Sequence, residues 1–170
     1  MPRKVDIGST RLTWVPGVDA IENFKAPTIS ELLTGLDLTF LMVSTYEVRF
    51  DGSDTTQERS VGDTTNVVVP TVGNYMGRFD LFRDFDEENL PTEKDISKWL
   101  KFRDYGFFVR RIGLPQSTLW DEGQEVEVYK FMLDNPQIQG GTGEGNFKAV
   151  VPLFQQGEAT ETAIIAENGS

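Results

Sequence analysis

The stretch LDLTFLMVSTYEVRF, residues 36–50, is the feature that most limits what this chain can become. Leu36, Leu38, Phe40, Met42, Tyr46, Val48 and Phe50 fall on one side of a two-residue period, and Asp37, Thr39, Thr45, Glu47 and Arg49 fall on the other. Successive side chains of a strand point to opposite faces, so the alternation predicts a strand with one buried and one polar face. The run is longer than the usual strand of about 3–10 residues, which predicts one long strand or ribbon. Shorter segments of the same kind follow and precede it: STRLTWV (9–15), NVVVPTV (66–72), YMGRFDLFRDF (75–85), YGFFVRRIG (105–113), EVEVYKFML (125–133), NFKAVVPLF (146–154) and TETAIIA (160–166). They are rich in β-branched and aromatic residues and are separated by Gly, Pro, Asn and Asp. That is the pattern of a mainly β chain folded as an antiparallel sandwich or partial barrel. No repeat, heptad or linker divides residues 1–170, so a single domain is expected.

Two segments carry helix signals instead. In APTISELLTG, residues 26–35, Thr28 is the expected N-cap, Glu31 completes a capping box, and Gly35 is expected to supply a left-handed exit. A helix this short is not stable by propensity alone, so Ile29, Leu32 and Leu33 are expected to pack on something. In LPTEKDISKWLKFRD, Thr92 is the expected N-cap, and Ile96, Trp99, Leu100 and Arg103 form a stripe at helical spacing. Acids at its start and bases at its end match the macrodipole, predicting a helix that flanks the sheet. Residues 51–66, DGSDTTQERSVGDTTN, are polar and carry a DG turn signal, which predicts a long solvated hairpin loop. Structureless loops longer than about 12 residues are uncommon unless functional, so partner contact is the alternative reading.

Charge and missing residue types narrow the function. Sixteen basic against 27 acidic residues leave a net charge of −11, which disfavours a protein that grips nucleic acid by its phosphates. There is no cysteine, hence no thiolate nucleophile, disulfide or zinc-thiolate site, and no histidine, hence no Ser-His-Asp triad or imidazole ligand. A carboxylate pair or a lysine of shifted pKa remains open to the chain. The N-terminal residues lack the apolar core of a signal peptide and FLMV (40–43) is the longest apolar run, so neither export by that route nor membrane insertion is expected.

The remaining motifs are weak. The glycine-rich QGGTGEGN (139–146) lacks the phosphate-loop lysine and the helix that would follow it. DFDEEN (84–89) places acids at three calcium-loop positions but has Asn89 where glycine and Asp95 where glutamate would stand, so a solvated acidic turn is the better reading. Arg110 and Arg111 lie on opposite faces of one strand, available either for ordinary ion pairs or for a carboxylate across a subunit contact. The tail QQGEATETAIIAENGS either completes a sheet of its own fold or adds to a neighbour's.

Taken in order, TRLTWVPGV, APTISELLTGLDLT, GNYMGRFDLFRDFDEE, FFVRRIG, GQEVEVYKFMLDNPQ and FKAVVPLFQQGEATETAIIA resemble the major tail proteins, or tail tube proteins, of long-tailed bacteriophages that infect actinobacteria. The resemblance spans nearly the whole chain. It implies a structural virion protein rather than an enzyme, with no catalytic, cofactor or metal residues: subunits form hexameric rings that stack into a hollow tube through which DNA passes without specific binding. Partners would be further copies of itself and other tail proteins such as the tape measure, tail terminator and distal tail protein, with no membrane partner. The protein would be made in the host cytoplasm and reside in the virion tail. An N-terminal arm (1–24), the hairpin loop (51–66) and a C-terminal segment (157–170) would reach neighbours. Candidate inter-subunit contacts are Trp14, Ile29, Leu32, Leu33, Arg110, Arg111, Ile164 and Ile165, and the candidate lumen face is Asp37, Thr39, Thr45, Glu47 and Arg49. On that reading residues 28–35 set the angle between arm and strand, and Gly35→Val is expected to harm assembly more than folding. A tail terminator, a decoration protein and a carbohydrate-binding β-sandwich module are the competing expectations.

Overall fold

In a computed structural model the structure describes residues 6–141, 143 and 145–168. The elements are β1 (Thr10–Pro16), α1 (Ile29–Leu33), β2 (Leu36–Asp37), β3 (Glu47–Phe50), β4 (Asp54–Glu58), β5 (Val67–Val72), β6 (Tyr75–Phe82), α2 (Ile96–Trp99), β7 (Tyr105–Ile112), β8 (Glu125–Leu133), β9 (Gln137–Ile138), β10 (Lys148–Gln155) and β11 (Thr160–Ile164). One antiparallel sheet runs β2-β1-β7-β8-β10-β6-β3, with β11 added to β8 and β9 to β10, while β4 and β5 pair only with each other. The chain is therefore mainly β, as the strand pattern predicts.

Partner exchange along β8 curls the sheet. One edge of β8 pairs with β7, whereas its other edge pairs with β11 over residues 125–128 and with β10 over residues 131–133. Inside the curl lie Trp14, Phe79, Phe108, Tyr129, Phe131 and Leu133, all fully buried. Full burial of each such side chain contributes roughly 1.5–3 kcal/mol. Edge-to-face packing adds to this: Trp14 and Phe79 are 5.7 Å apart and Tyr75 and Phe131 5.3 Å apart between ring centroids. A second core on the opposite face of β1, β7 and β8 joins Val15, Phe107, Val109, Val126 and Val128 to Leu32, Trp120 and Ile165. The two cores explain why β7 reads as a nearly continuous apolar run: Phe108 serves one and its neighbours Phe107 and Val109 the other.

The expected single strand over residues 36–50 is two short strands, β2 and β3, at opposite edges of the curled sheet. The intervening residues span the gap between those edges. Leu38 N donates to Leu12 O on β1, while Val43 N and Phe82 N link this segment to β6 through Asp80 O and Leu41 O. A straight strand cannot bond to both edges, so the chain turns between them. Leu36, Leu38, Met42 and Val48 keep the inward positions given by the period, but Phe40 and Phe50 are exposed.

The helix expected after Thr92 is a single turn, α2, capped by Asp95 rather than Thr92. Asp95 wins because its carboxylate, wholly buried, takes hydrogen bonds from Arg83 Nε, Asp84 N, Ser97 N and Ser97 Oγ. Thr92 instead donates its hydroxyl to Asp84. Leu100 is already extended and Arg103 is left-handed, which ends the helical stripe after Ile96 and Trp99.

Candidate assembly surfaces

Segments expected to reach outward are partly claimed by the protomer itself. Most of β1, from the expected N-terminal arm, is an interior strand between β2 and β7. From the C-terminal segment, β11 completes the protomer's own sheet on β8, and residues 163–168 are tied to the α1 region. Ile164 N donates to Lys25 O, Ala166 N to Pro27 O, and Ser30 N to Asn168 Oδ1. Residues 1–5 and 169–170 of these two segments lie outside the described residues.

The capping box of α1 forms as the sequence requires, with Glu31 N donating to Thr28 Oγ1 and Thr28 N to Glu31 Oε2. Gly35, however, does not have a positive φ. It is glycine because a Cβ there would stand 2.6 Å from Thr13 Oγ1 and 2.7 Å from Trp14 O, against the backbone of β1. The same sheet brings Gly106 of β7 under the Trp14 ring, where a Cβ would come within 2.3 Å.

Of the residues expected between subunits, Trp14, Leu32, Arg111 and Ile165 are buried in the protomer, Ile29 is half-buried, and Leu33 and Ile164 are exposed. Arg110 and Arg111 do project to opposite faces of β7. Arg110 points to the inner face, where it pairs with Glu127 and donates to Tyr46 Oη and Val48 O. Burial works against its charge, but the hydrogen bond to Glu127 outweighs it and holds the guanidinium more firmly protonated than usual. Arg111 is enclosed by carbonyls, donating to Leu119 O, Pro115 O and Gln124 Oε1, and lies 5.2 Å over Trp120, which Arg11 also covers at 5.0 Å. Burial and the nearby Arg11 charge lower its pKa. Glu127 and this Arg-Trp-Arg stack carried no local signal: Glu127 and Arg11 reach β7 through sheet pairing, and Trp120 through the path of the connection between β7 and β8.

The expected lumen set divides in two. Asp37 and Thr39 sit beside β1, with Asp37 3.7 Å from Arg11. Thr45, Glu47 and Arg49 lie beyond the other edge, on the outward face of β3 and β6. There Glu47 stands opposite Arg78 and Arg49 opposite Met76. Thr45 Oγ1 donates to Asp80, Arg78 pairs with Asp80 at 3.2 Å, and Arg49 with Asp51 at 3.6 Å. Each arginine of this face is therefore already held by an acid.

The expected loop over residues 51–66 is in part a strand. Its DG signal does not mark the hairpin turn; that turn is at residues 60–63, where Asp63 N donates to Ser60 O. Behind it β4 pairs with β5, and beyond Asp54 the same hairpin continues into the sheet as β3 and β6. A ribbon thus projects past the Tyr75 end of β6. Every residue of β4 and β5 is exposed, including Val67, Val68, Val69 and Val72. Two-stranded ribbons are marginal in water by themselves, and a strand whose apolar side chains all face solvent asks for a second surface.

Among the described residues no group of three or more His, Cys, Asp or Glu is placed to hold a metal ion. In the acidic turn, Asp84 accepts from Thr92, and Asp86 accepts from Glu88 N and Leu90 N, so these carboxylates brace their own loop.

Residues 1–168 match the family model described as phage tail tube protein. The chain belongs to the phage tail tube protein family. A tail tube protein is a structural component of the phage tail. Among solved structures, a chain in the "Cryo-EM structure of the anti-feeding prophage (AFP) baseplate, 6-fold symmetrised" has a similar fold. Its TM-score is 0.54 at 11% identity, with 94% of this chain and 96% of that chain covered. A comparison with curated protein sequences finds no match.

Proposed function

We propose that this protein is the non-enzymatic subunit of a hollow tail tube: six copies form a ring, rings stack, and DNA passes through the bore. The observation that carries the reading is the β4–β5 ribbon, whose valines are exposed among the described residues. Heterologous contacts, in which a protrusion on one copy meets a different surface on the next, generate rings or filaments. The six-fold symmetrised assembly around the fold neighbour is consistent with a ring of six. Thr45, Glu47 and Arg49, with Arg78 and Asp80, are the lumen face on this reading. Its arginines are already paired with acids, and the chain is acidic as a whole, so phosphates gain little by adhering. Production would be in the host cytoplasm, with other tail proteins completing the structure at either end of the tube.

Negative-stain electron microscopy of the purified protein tests this. Hollow tubes with a regular axial repeat are expected; a protein that stays monomeric at high concentration refutes the reading. The baseplate origin of the fold neighbour favours one second reading, a subunit of a single closed ring at the tube's end, which the same images would show as unstacked rings.

A further inference from the structure

We propose that Tyr46 is a positioning residue that fixes the register of β3 on β6, and that Arg110 of β7 holds it there through the phenol hydroxyl. The inference concerns the protomer and stands apart from the tube reading.

The register changes within the segment that crosses to β3. Met42 bridges Leu81 and Val43 N donates to Asp80 O, whereas Glu47 pairs with Arg78 and Val48 with Gly77. Residues 43–46 therefore stand against Phe79 and Asp80 alone, and the strand carries two extra residues in a bulge. Tyr46 N closes it by donating to Val43 O at 3.1 Å. An excess of two leaves every later side chain on the face that strict alternation gives it. The two-residue period of this segment is thus compatible with a second register. Uninterrupted pairing from Met42 onward would set Thr45 opposite Arg78, Tyr46 opposite Gly77 and Glu47 opposite Met76, with the same side chains in and out. Backbone pairing alone favours that alternative, because a bulge leaves its extra residues outside the ladder.

Two contacts of the half-buried Tyr46 oppose it. Arg110 donates to Tyr46 Oη at 3.2 Å and to Val48 O at 3.1 Å, with its guanidinium aimed by Glu127, the residue opposite it on β8. Removing the bulge moves Tyr46 into the place of Val48, two residues or roughly 6.6 Å along the strand. A backbone carbonyl again meets Arg110 there, but the hydroxyl does not, and a largely buried charged donor loses its acceptor. The second contact is steric. Val48 stands opposite Gly77, where the space is already filled: a Cβ on Gly77 would meet Phe131 Cζ at 2.6 Å and Leu153 Cδ1 at 2.7 Å. A valine fits beside this packing, whereas a tyrosine ring overfills it.

The consequence lies on the outward face. With the bulge in place, Glu47 stands opposite Arg78, which also pairs with Asp80 at 3.2 Å and donates to Thr45 O at 3.1 Å. Without it, Arg78 would face Thr45 and Glu47 would face Met76, so the match of acid to base would be lost. Tyr46, packed against the core inside the curl, thereby decides which charges meet outside.

Two cysteine pairs report the register in a chain that has no other cysteine. Arg49→Cys with Met76→Cys joins positions that face each other in the bulged register, and Glu47→Cys with Met76→Cys joins those that face each other in the uninterrupted one. Residues directly opposite lie within reach of a disulfide and diagonal ones do not. Each monomer, below its assembly concentration, is oxidised with glutathione disulfide, and the intramolecular bond is quantified by mass spectrometry after digestion. With Tyr46 present, the first pair is expected to close in several-fold excess over the second. Tyr46→Val makes the two inward residues alike and is expected to bring the two yields near to equality; an unchanged ratio overturns the proposal. Tyr46→Phe keeps the ring and removes only the hydroxyl, so a smaller shift in the same direction is expected, and a ratio equal to that of the Tyr46 protein refutes the part given to Arg110. Because the readout is made on the monomer, the result is independent of whether tubes form.

Discussion

Replacing Gly35 with alanine separates two explanations for this glycine by the sign of the effect. Because Gly35 does not have a positive φ, conformational entropy alone says that alanine should stabilise the fold by about 0.4–1 kcal/mol, through a less flexible unfolded chain. Contact geometry says the reverse. The new Cβ would lie 2.6 Å from Thr13 Oγ1, 2.7 Å from Trp14 O and 3.1 Å from the Trp14 carbonyl carbon, where about 3.5–4.0 Å is comfortable. Thr13 is buried and its hydroxyl donates to Leu36 O at 3.0 Å, so it cannot swing aside freely. The backbone of β1 is also bonded on both sides, to β2 and to β7. The remaining relief is for α1 to lift, which opens the packing around Leu32 in the second core. Overpacking of this kind costs about 1–3 kcal/mol. A net loss of about 2 kcal/mol lowers the urea midpoint by about 1 M if m is near 2 kcal/mol/M. Urea unfolding of the monomer below its assembly concentration reads this directly, and a midpoint equal to or above wild type would show the reasoning to be wrong. The same geometry moves the expected damage of Gly35→Val from assembly to folding: tube yield should fall in step with the folded fraction.

Three other outcomes follow from the same structure. Glu127→Ala strands the Arg110 guanidinium in the curl of the sheet and should cost about 3–5 kcal/mol by urea titration, whereas an effect below about 1 kcal/mol would mean the pair is solvated. Asp95 is opposed by burial, yet hydrogen bonds led by Arg83 bring its pKa down to about 2; its contribution of about 2 kcal/mol is present above the unfolded carboxyl pKa and fades as pH falls from about 4 towards 2. Stability measured across that window should drop more steeply for wild type than for Asp95→Asn, and parallel curves would contradict the assignment. Serine at Val67, Val68 and Val69 together should leave monomer stability within about 0.5 kcal/mol per site because all three are exposed, while tube yield seen by microscopy falls sharply. Unaltered tubes would remove the ribbon from the assembly.

Local code was legible wherever the interacting groups are neighbours in the chain. The Thr28–Glu31 capping box is a contact across three residues, and it formed as written. Two-residue alternation and turn residues likewise marked most strands and the mainly β class, because strand faces and turns depend on adjacent side chains. Exclusion of thiol and imidazole chemistry needed no structure at all. What residues 36–50 become could not be read from their period. Alternation says which side chains share a face, but not that the segment must bond to β1 at one end and β6 at the other, and that requirement breaks it in two. Gly35 looked like a helix exit because the sequence shows its helix and hides β1, 21 residues earlier, on which it rests. Arg110 and Arg111 could be placed on opposite faces, but Glu127 arrives through sheet register and Trp120 through the path of the β7–β8 connection. The ribbon is the converse case. Its valines resemble those of any buried strand, and only the tertiary structure shows that β5 pairs with β4 alone and leaves those valines exposed among the described residues.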